Sequence, residues 1–232
     1  MRTSIAGDFH IPYQDTELVR KWFEHIQKTK PDRVILNGDL IDATDISLKF
    51  KSVPNEEVAF EDELEGAREF LRTLRHYTDG EIVLITGNHE FRLRSYINTL
   101  SPKLVRIGAC KTLDELLELD RVEVDYIDVP DNFATFQDNY FENQDFLVGH
   151  FNMARTGLAA TSKGLMEKYG KNILQSHVHR LSMIAKWQYE GQLIGVEGGC
   201  MCNLNNNYRR NANWQNGWVD LIDNEVELHA II

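Results

Sequence analysis

Cysteine, proline and long apolar runs are all scarce in this chain of 232 residues, and each scarcity excludes something. Three cysteines, an odd number, exclude a disulfide scaffold and point to a reducing, cytoplasmic setting. The lone pair Cys200-x-Cys202 is too little for a zinc site and reads as part of a buried strand. Five prolines, with no Pro/Gly/Ser-rich tract and no internal repeat, leave no linker, so residues 1–232 read as one domain. No stretch approaches the roughly 20 apolar residues of a membrane helix. The N-terminal Met-Arg-Thr-Ser lacks a signal peptide's apolar segment, and no membrane attachment is expected. Positive charge is short as well: 25 Lys and Arg stand against 36 Asp and Glu, a formal charge of -11. Such a surface repels phosphate backbones at long range and disfavours sequence-blind nucleic-acid binding through a basic groove. A phosphate substrate stays open where bound cations reverse the sign locally.

What remains is ordinary globular material, 42% hydrophobic and 26% charged. A compact chain of this length buries roughly 70% of its unfolded surface. Residues 2–7 read as a first strand and 33–37 as a second, with 15–28 between them as an amphipathic helix. That helix places Leu18, Val19, Trp22, Phe23 and Ile26 on one face. Phe60, Leu64, Ala67, Leu71 and Leu74 keep helical spacing over about 56–76, and 81–86 follows as a third strand. Such alternation implies right-handed crossovers and a largely parallel sheet. The second half changes character. A short helix from Thr112 carries a capping-box pattern with Glu115. Strands are then expected at 122–127, 145–149, 172–176, 181–189, 192–198, 217–222 and 225–231, with one helix near 157–169. Glu190-Gly191 and Asp223-Asn224 read as hairpin turns. The expected fold class is α/β: a mixed β-sandwich of two sheets packed face to face, with helices outside.

The informative residues sit at strand ends. Four apolar strands run into glycine and then a metal-type ligand: Gly7-Asp8, Gly38-Asp39, Gly87-Asn88 and Gly149-His150. A fifth, ending at Gln175-Ser176, runs into His177. Open α/β sheets place ligands just beyond the carboxyl ends of their strands, so these side chains can converge. Asp8-x-His10 and His177-x-His179 add a second member two residues on, on the same face of an extended segment. One such tip is ordinarily a turn; five in order are not explained that way. His25, His76 and His229 fall within helices or a strand and read as plain structural residues.

Taken together, GDFH at 7–10, GDLID at 38–42, GNHE at 87–90, GH at 149–150 and SHVH at 176–179 resemble the five ordered motifs of the calcineurin-like metallophosphoesterases. The resemblance implies that family's four-layer fold over 1–232 without a separate capping domain, and two divalent metal ions at the sheet ends. It makes Asp8, His10 and His179 ligands of one ion and Asn88, His150 and His177 ligands of the other, with Asp39 as the bridge. Oxygen and imidazole donors without thiolate suit Mn first, with Fe, Zn or Ni as alternatives. His89 resembles the family histidine that protonates the leaving oxygen, and Asp42 the carboxylate that orients it. The activity implied is phosphate-ester hydrolysis by in-line attack of a hydroxide held between the ions.

Departures from the family pattern narrow the substrate. Ala43 and Thr86 stand where phosphoprotein phosphatases resemble one another in carrying arginine. An arginine after the second motif grips the terminal oxygens of a monoester, so its absence favours phosphodiesters: a nucleotide, a cyclic nucleotide or a nucleic-acid end. Ser176 replaces the usual glycine of the last motif and should alter only the backbone turn. The alternatives are a phosphomonoesterase or protein phosphatase, or a catalytically silent binding or scaffold member such as the retromer-coat subunit of this superfamily. Residues 43–57 and 203–216, with Tyr208, Arg209 and Arg210, are the loops expected to border the metals. Arg92, Arg94 and Arg155 are further candidates near the motifs, each more simply read as a solvated arginine.

Overall fold

A computed structural model describes residues 1–48, 58–100, 110–130, 135–189, 191–204 and 213–230. Residues 49–57 and 205–212 of the two expected substrate loops, including Tyr208, Arg209 and Arg210, lie outside the described residues, as does Glu190. The first half alternates as expected. Strands β1 (Arg2–Ala6), β2 (Arg33–Asn37), β3 (Glu81–Ile85) and β4 (Val124–Ile127) pair in parallel. Helix α1 (Thr16–Thr29) begins at Asp15, whose carboxylate accepts the N–H groups of Glu17 and Leu18 at 3.1 and 3.0 Å. Such a cap is worth about 1 kcal/mol. The helix buries Leu18, Val19, Trp22, Phe23 and Ile26, the stripe its spacing predicts. Helix α2 (Phe60–Tyr77) likewise buries Phe60, Leu64, Ala67, Leu71 and Leu74.

Two elements go beyond the sequence pattern. Helix α3 (Phe91–Leu100) follows the third motif directly, and its apolar spacing is weak. After the short helix α4 (Leu113–Leu117), where Glu115 accepts the Thr112 N–H at 2.9 Å, comes strand β5 (Asn139–Asn143). Its sequence, Asn-Tyr-Phe-Glu-Asn, is polar at both ends and at the fourth position, which hides it from an alternation test. The rest matches closely: β6 (Phe146–His150), α5 (Ala160–Tyr169), β7 (Asn172–Gln175), β8 (Leu181–Gln188), β9 (Gly191–Gly198), β10 (Gly217–Ile222) and β11 (Glu225–Ala230). Asp223 and Asn224 turn the last hairpin with φ of +49° and +73°, the left-handed pair a two-residue turn requires.

The strands form a six-stranded sheet, β11-β10-β1-β2-β3-β4, and a five-stranded sheet, β5-β6-β7-β9-β8. Strand alternation sorts side chains into layers. Ile5, Ile35, Val83, Ile85, Val148, Leu174, Val196, Val219 and Leu221 fill the space between the sheets. Val34, Leu36, Ile82 and Leu84 point the other way, onto α1 and α2. Leu147 and Ile173 meet Leu165 and Met166 of α5 on the far face of the second sheet. Helix, sheet, sheet and helix make four layers, the two mixed sheets and outer helices that the sequence implies. Among the described residues no helix is long and apolar enough to cross a membrane.

One buried carboxylate joins this scaffold to the second motif. Glu63 of α2 accepts the Ala43 N–H at 2.6 Å. Burial lifts its carboxyl from 4.5 to about 8, and the nearby carboxylates of Asp42 and Asp45 push the same way. The folded chain thus keeps a proton that the unfolded chain releases. The stabilisation from this group is complete below about pH 4.5 and is lost as pH rises towards 8. Glu63→Gln keeps an acceptor for Ala43 and removes the titration. The stability of the variant relative to wild type should therefore rise from pH 5 to pH 8, by on the order of 1–2 kcal/mol. Urea unfolding at both pH values measures it, and an equal difference at the two would exclude this role for Glu63.

Candidate metal centre

The motif residues meet at one end of the sandwich. The carboxyl ends of β1, β2 and β3 deliver Asp8, Asp39 and Asn88, while those of β6 and β7 deliver His150 and His177 from the other sheet. The seven expected ligands, together with His89 and Asp42, form one continuous network. Its backbone is strained. Asp8, His10, Asp39, His177 and His179 have φ of +54°, +51°, +51°, +77° and +56°. A left-handed conformation costs a residue with a Cβ roughly 1–2 kcal/mol, and clusters of such residues mark functional sites. Here the strain falls just after β1, β2 and β7, whereas Asn88 after β3 and His150 at the end of β6 are not left-handed.

Two groups of donors result. In one, His10 Nε2 lies 3.2 Å from His179 Nε2, and His179 Nε2 lies 3.2 Å from Asp8 Oδ1. In the other, His150 Nε2 lies 3.2 Å from His177 Nδ1 and 3.1 Å from Asn88 Oδ1. Asp39 stands between them: its Oδ2 is 3.3 Å from His150 Nε2 and 3.9 Å from His10 Nε2. Asp8–His10–His179 and Asp39–His150–His177 each gather donor atoms closely enough to hold a metal ion, and so do the adjoining His10–Asp42–His89 and His179–Cys200–Cys202, the last of which gives the cysteine pair a third partner that its spacing alone lacks. His150 is also fixed in tautomer, since its Nδ1 faces the Asn37 carbonyl at 3.1 Å and leaves Nε2 for the cluster.

The electrostatics ask for positive charge. Burial raises the Asp8 and Asp39 carboxyls, yet the facing imidazoles outweigh it, His179 for Asp8 and His150 with His89 for Asp39, and hold both below their ordinary range. Against the pull of burial, Asp39 lifts His150 to about 9 and Asp8 lifts His179 to about 10. Burial and the neighbouring His150 bring His177 down to about 4. Imidazole nitrogens 3.2 Å apart need a proton or a cation between them, and divalent ions could replace the protons the carboxylates draw in. The donor set of carboxylate, amide oxygen and imidazole therefore fits a pair of divalent transition ions.

Glu90, which the sequence places inside the third motif without a role, holds the frame. It is buried and accepts the N–H groups of Asp39 and Gly87, both at 2.8 Å, and of Ile41 at 3.1 Å. Its carboxyl is raised to about 7, by burial first and by Asp39 second. Acceptors for backbone N–H groups leave no spacing signature, so only the fold identifies it. Gly38 turns with φ of +79°, and a Cβ there would lie 2.4 Å from the His150 ring. Ser176 does more than replace a glycine. Its hydroxyl accepts from Asn37 Nδ2 at 2.9 Å and sits where a Gly7 side chain would have to go.

His89 is placed by two partners. Its Nδ1 donates to the Asp42 carbonyl at 2.7 Å, and its Nε2 accepts from the Arg92 guanidinium at 2.9 Å. Burial, helped by His10 and Arg92 and opposed by Asp39 and Asp42, lowers its pKa. The Asp42 carboxylate itself lies nearer His10 Nδ1, at 3.1 Å, than His89 Nδ1, at 3.5 Å. Arg92 also donates to the Asp42 carbonyl at 2.7 Å. Arg94 instead binds the Val129 carbonyl at 2.6 Å, and the Arg155 guanidinium packs against Gly164. Beyond the motifs, the half-buried Trp214 ring lies 4.2 Å from that of His179, and Cys202 Sγ lies 3.8 Å from His179 Nδ1. Cys200 and Cys202 are buried as expected, but in isolated bridges to Asn216 and Gln14 rather than within a strand.

The model of the calcineurin-like phosphoesterase family matches residues 1–181. The Gene 54 protein of Mycobacterium phage L5 is 26% identical over 233 residues, covering 94% of this chain and 87% of that protein. Among solved structures, nuclease MPE of Pseudomonas putida is 11% identical with a TM-score of 0.46, over 97% of this chain and 86% of that one. A single mutant of Vps29 from Entamoeba histolytica is 10% identical with a TM-score of 0.44, over 100% and 98% of the two chains.

Close packing makes Gly87 a test of the frame. A Cβ there would stand 2.2 Å from Asp39 Oδ1 and 2.4 Å from Asp39 N. Gly87→Ala should cost about 1–3 kcal/mol as the carboxylate is pushed aside. A denaturation midpoint equal to wild type would show that this contact has room to spare.

Proposed function

The chain belongs to the calcineurin-like phosphoesterase family, and from that premise we propose that it hydrolyses phosphate esters, phosphodiesters before monoesters, at two divalent cations. The observation that carries this reading is the position of Asp39, one of whose oxygens faces His150 of one donor group and His10 of the other. In this reading Asp8, His10 and His179 hold one ion, Asn88, His150 and His177 hold the second, and Asp39 touches both. Cations bound there supply positive charge to the phosphoryl oxygens and acidify a water for attack near neutral pH. Mn is the preferred ion, with Fe, Zn or Ni as alternatives.

His89 and Arg92 serve the leaving group as a pair. His89 holds its resting proton on Nδ1 against the Asp42 carbonyl, and Arg92 occupies Nε2. A phosphoryl anion draws the guanidinium towards itself; Nε2, freed of Arg92, can then take up a proton from solvent and pass it to the departing oxygen, which returns the ring to its neutral resting form. Asp42 orients His89 through its carbonyl and steadies His10 through its carboxylate. Ala43, where a monoester-gripping arginine would stand, supports a diester. The flat face of Trp214 beside His179 suits a base of a nucleotide, a cyclic nucleotide or a nucleic-acid end. The acidic surface and scarcity of cysteine suit a cytoplasmic enzyme that meets its substrate at the cations rather than along a basic groove.

Metal counting tests the centre. Wild type loaded with Mn should hold two equivalents and melt lower after chelation, because an ion bound only by the folded state stabilises it. Asp39→Ala should lose metal and activity more fully than His10→Ala, which removes one bond to one ion. Two retained ions with near-normal turnover in Asp39→Ala would overturn the bridging role.

The leaving-group assignment has a separate readout. His89→Asn should keep both ions yet lose turnover by the roughly 10²–10⁴-fold that acid catalysis supplies. The loss should be largest for alkoxide or ribose leaving groups and smallest for nitrophenolate, which departs without a proton. Equal losses on both kinds of ester would mean that His89 positions the phosphate instead.

A further inference from the structure

Two of the histidines that sequence spacing leaves as plain structural residues meet over a carboxylate far from the motifs. His25 comes from α1, Asp220 from β10 and His229 from β11. His25 Nε2 lies 2.8 Å from Asp220 Oδ2, and His229 Nε2 lies 3.6 Å from the same oxygen. One donor atom of each residue falls within 4.8 Å of the other two. Ligand atoms around a tetrahedral zinc ion stand about 3.4 Å apart, given bonds near ~2.1 Å, and the two separations straddle that value. Asp220 is fully buried, and neither its Oδ1 nor the buried His229 Nε2 has a partner at ordinary hydrogen-bond geometry, although His229, His25 and Ser4 together hold the carboxyl below its usual range. Unpartnered buried groups of this kind are uncommon and point to a missing ligand.

The surroundings suit an ion. The imidazole side chains are 18% and 25% exposed, which puts the cluster near the surface although Asp220 itself is fully buried. Trp218 stacks on His229 at 4.9 Å and 12°, fixing that ring, while His25 is held in the middle of its helix. The one other charged group at the carboxylate among the described residues is Arg2, whose Nη1 lies 3.6 Å from Asp220 Oδ2. It competes for the same oxygen from a partly exposed position. Asp220 pairs with Ser4, four residues ahead of Asp8 on β1, so the cluster lies roughly 13 Å along the strand from the motif end.

We propose that His25, Asp220 and His229 form a separate site for one zinc-class divalent cation, which clips α1 to the β10–β11 hairpin. The site is independent of the phosphoesterase reading. Its test is the zinc content of gel-filtered protein after incubation with zinc alone. Wild type should hold one equivalent more than His25→Gln or His229→Gln, both of which should keep full turnover. Asp39→Ala should lose zinc from the other centre and retain this equivalent, so failure of one site is distinguishable from failure of the other. Arg2→Gln, which removes the competing cation and no ligand, should tighten this zinc severalfold. Equal zinc in wild type and both histidine variants overturns the proposal. So does a drop in melting temperature in those variants that is the same with and without zinc, the behaviour of an ion-pair network alone.

Discussion

A carboxylate shut away from water must find its counter-charge within the protein, and Asp39 finds it in His150 first and His10 second, both held towards their charged forms. Its Oδ2 lies within 3.9 Å of His10, His89 and His150, while its Oδ1 accepts the His89 N–H at 2.9 Å. Isolated, such a buried charge would be expelled or neutralised. The surrounding structure is arranged so that neither happens. Glu90 grips the Asp39 backbone, Gly87 leaves space for the side chain, and the left-handed His10 brings its ring to within 3.9 Å. The strain is borne by the two sheets, whose shared apolar layer holds the strand ends in place.

This arrangement also reconciles an acidic protein with an anionic substrate. The formal charge of -11 belongs to the chain as a whole, whereas the centre concentrates donors that attract cations. Local sign is then set by what the donors hold, and the net charge decides only how the protein meets other macromolecules.

Much of this was legible before any coordinates. The glycine-then-ligand pattern located the strand ends, because a parallel sheet leaves its carboxyl ends as the place where side chains can converge. The apolar stripes of α1 and α2 were legible for the same reason: a helix that covers a sheet must show period 3.6. What escaped has equally physical causes. Helix α3 and strand β5 bury too little on one face to leave a periodic signal. Glu90 acts on backbone N–H groups, which carry no residue identity. The contact of Arg92 with His89 depends on a helical turn after the third motif that the motif alone does not announce. His25 lies 195 residues ahead of Asp220 on the chain, and one-dimensional spacing cannot bring it to the hairpin that carries Asp220 and His229.

The place of β1 in the first sheet bears on how the molecule is made. That strand is paired on one side with β2, its near neighbour in sequence, and on the other with β10, where Ser4 faces Asp220. A ribosome releases β1, β2 and β3 early, so one edge of the nascent sheet must wait for almost the entire chain before it is covered. Until then a strand presents unpaired backbone groups to its surroundings, the condition under which chains join one another edge to edge. Synthesis rate and chaperone capture, rather than the stability of the finished fold, would then govern how much of this protein reaches its native form.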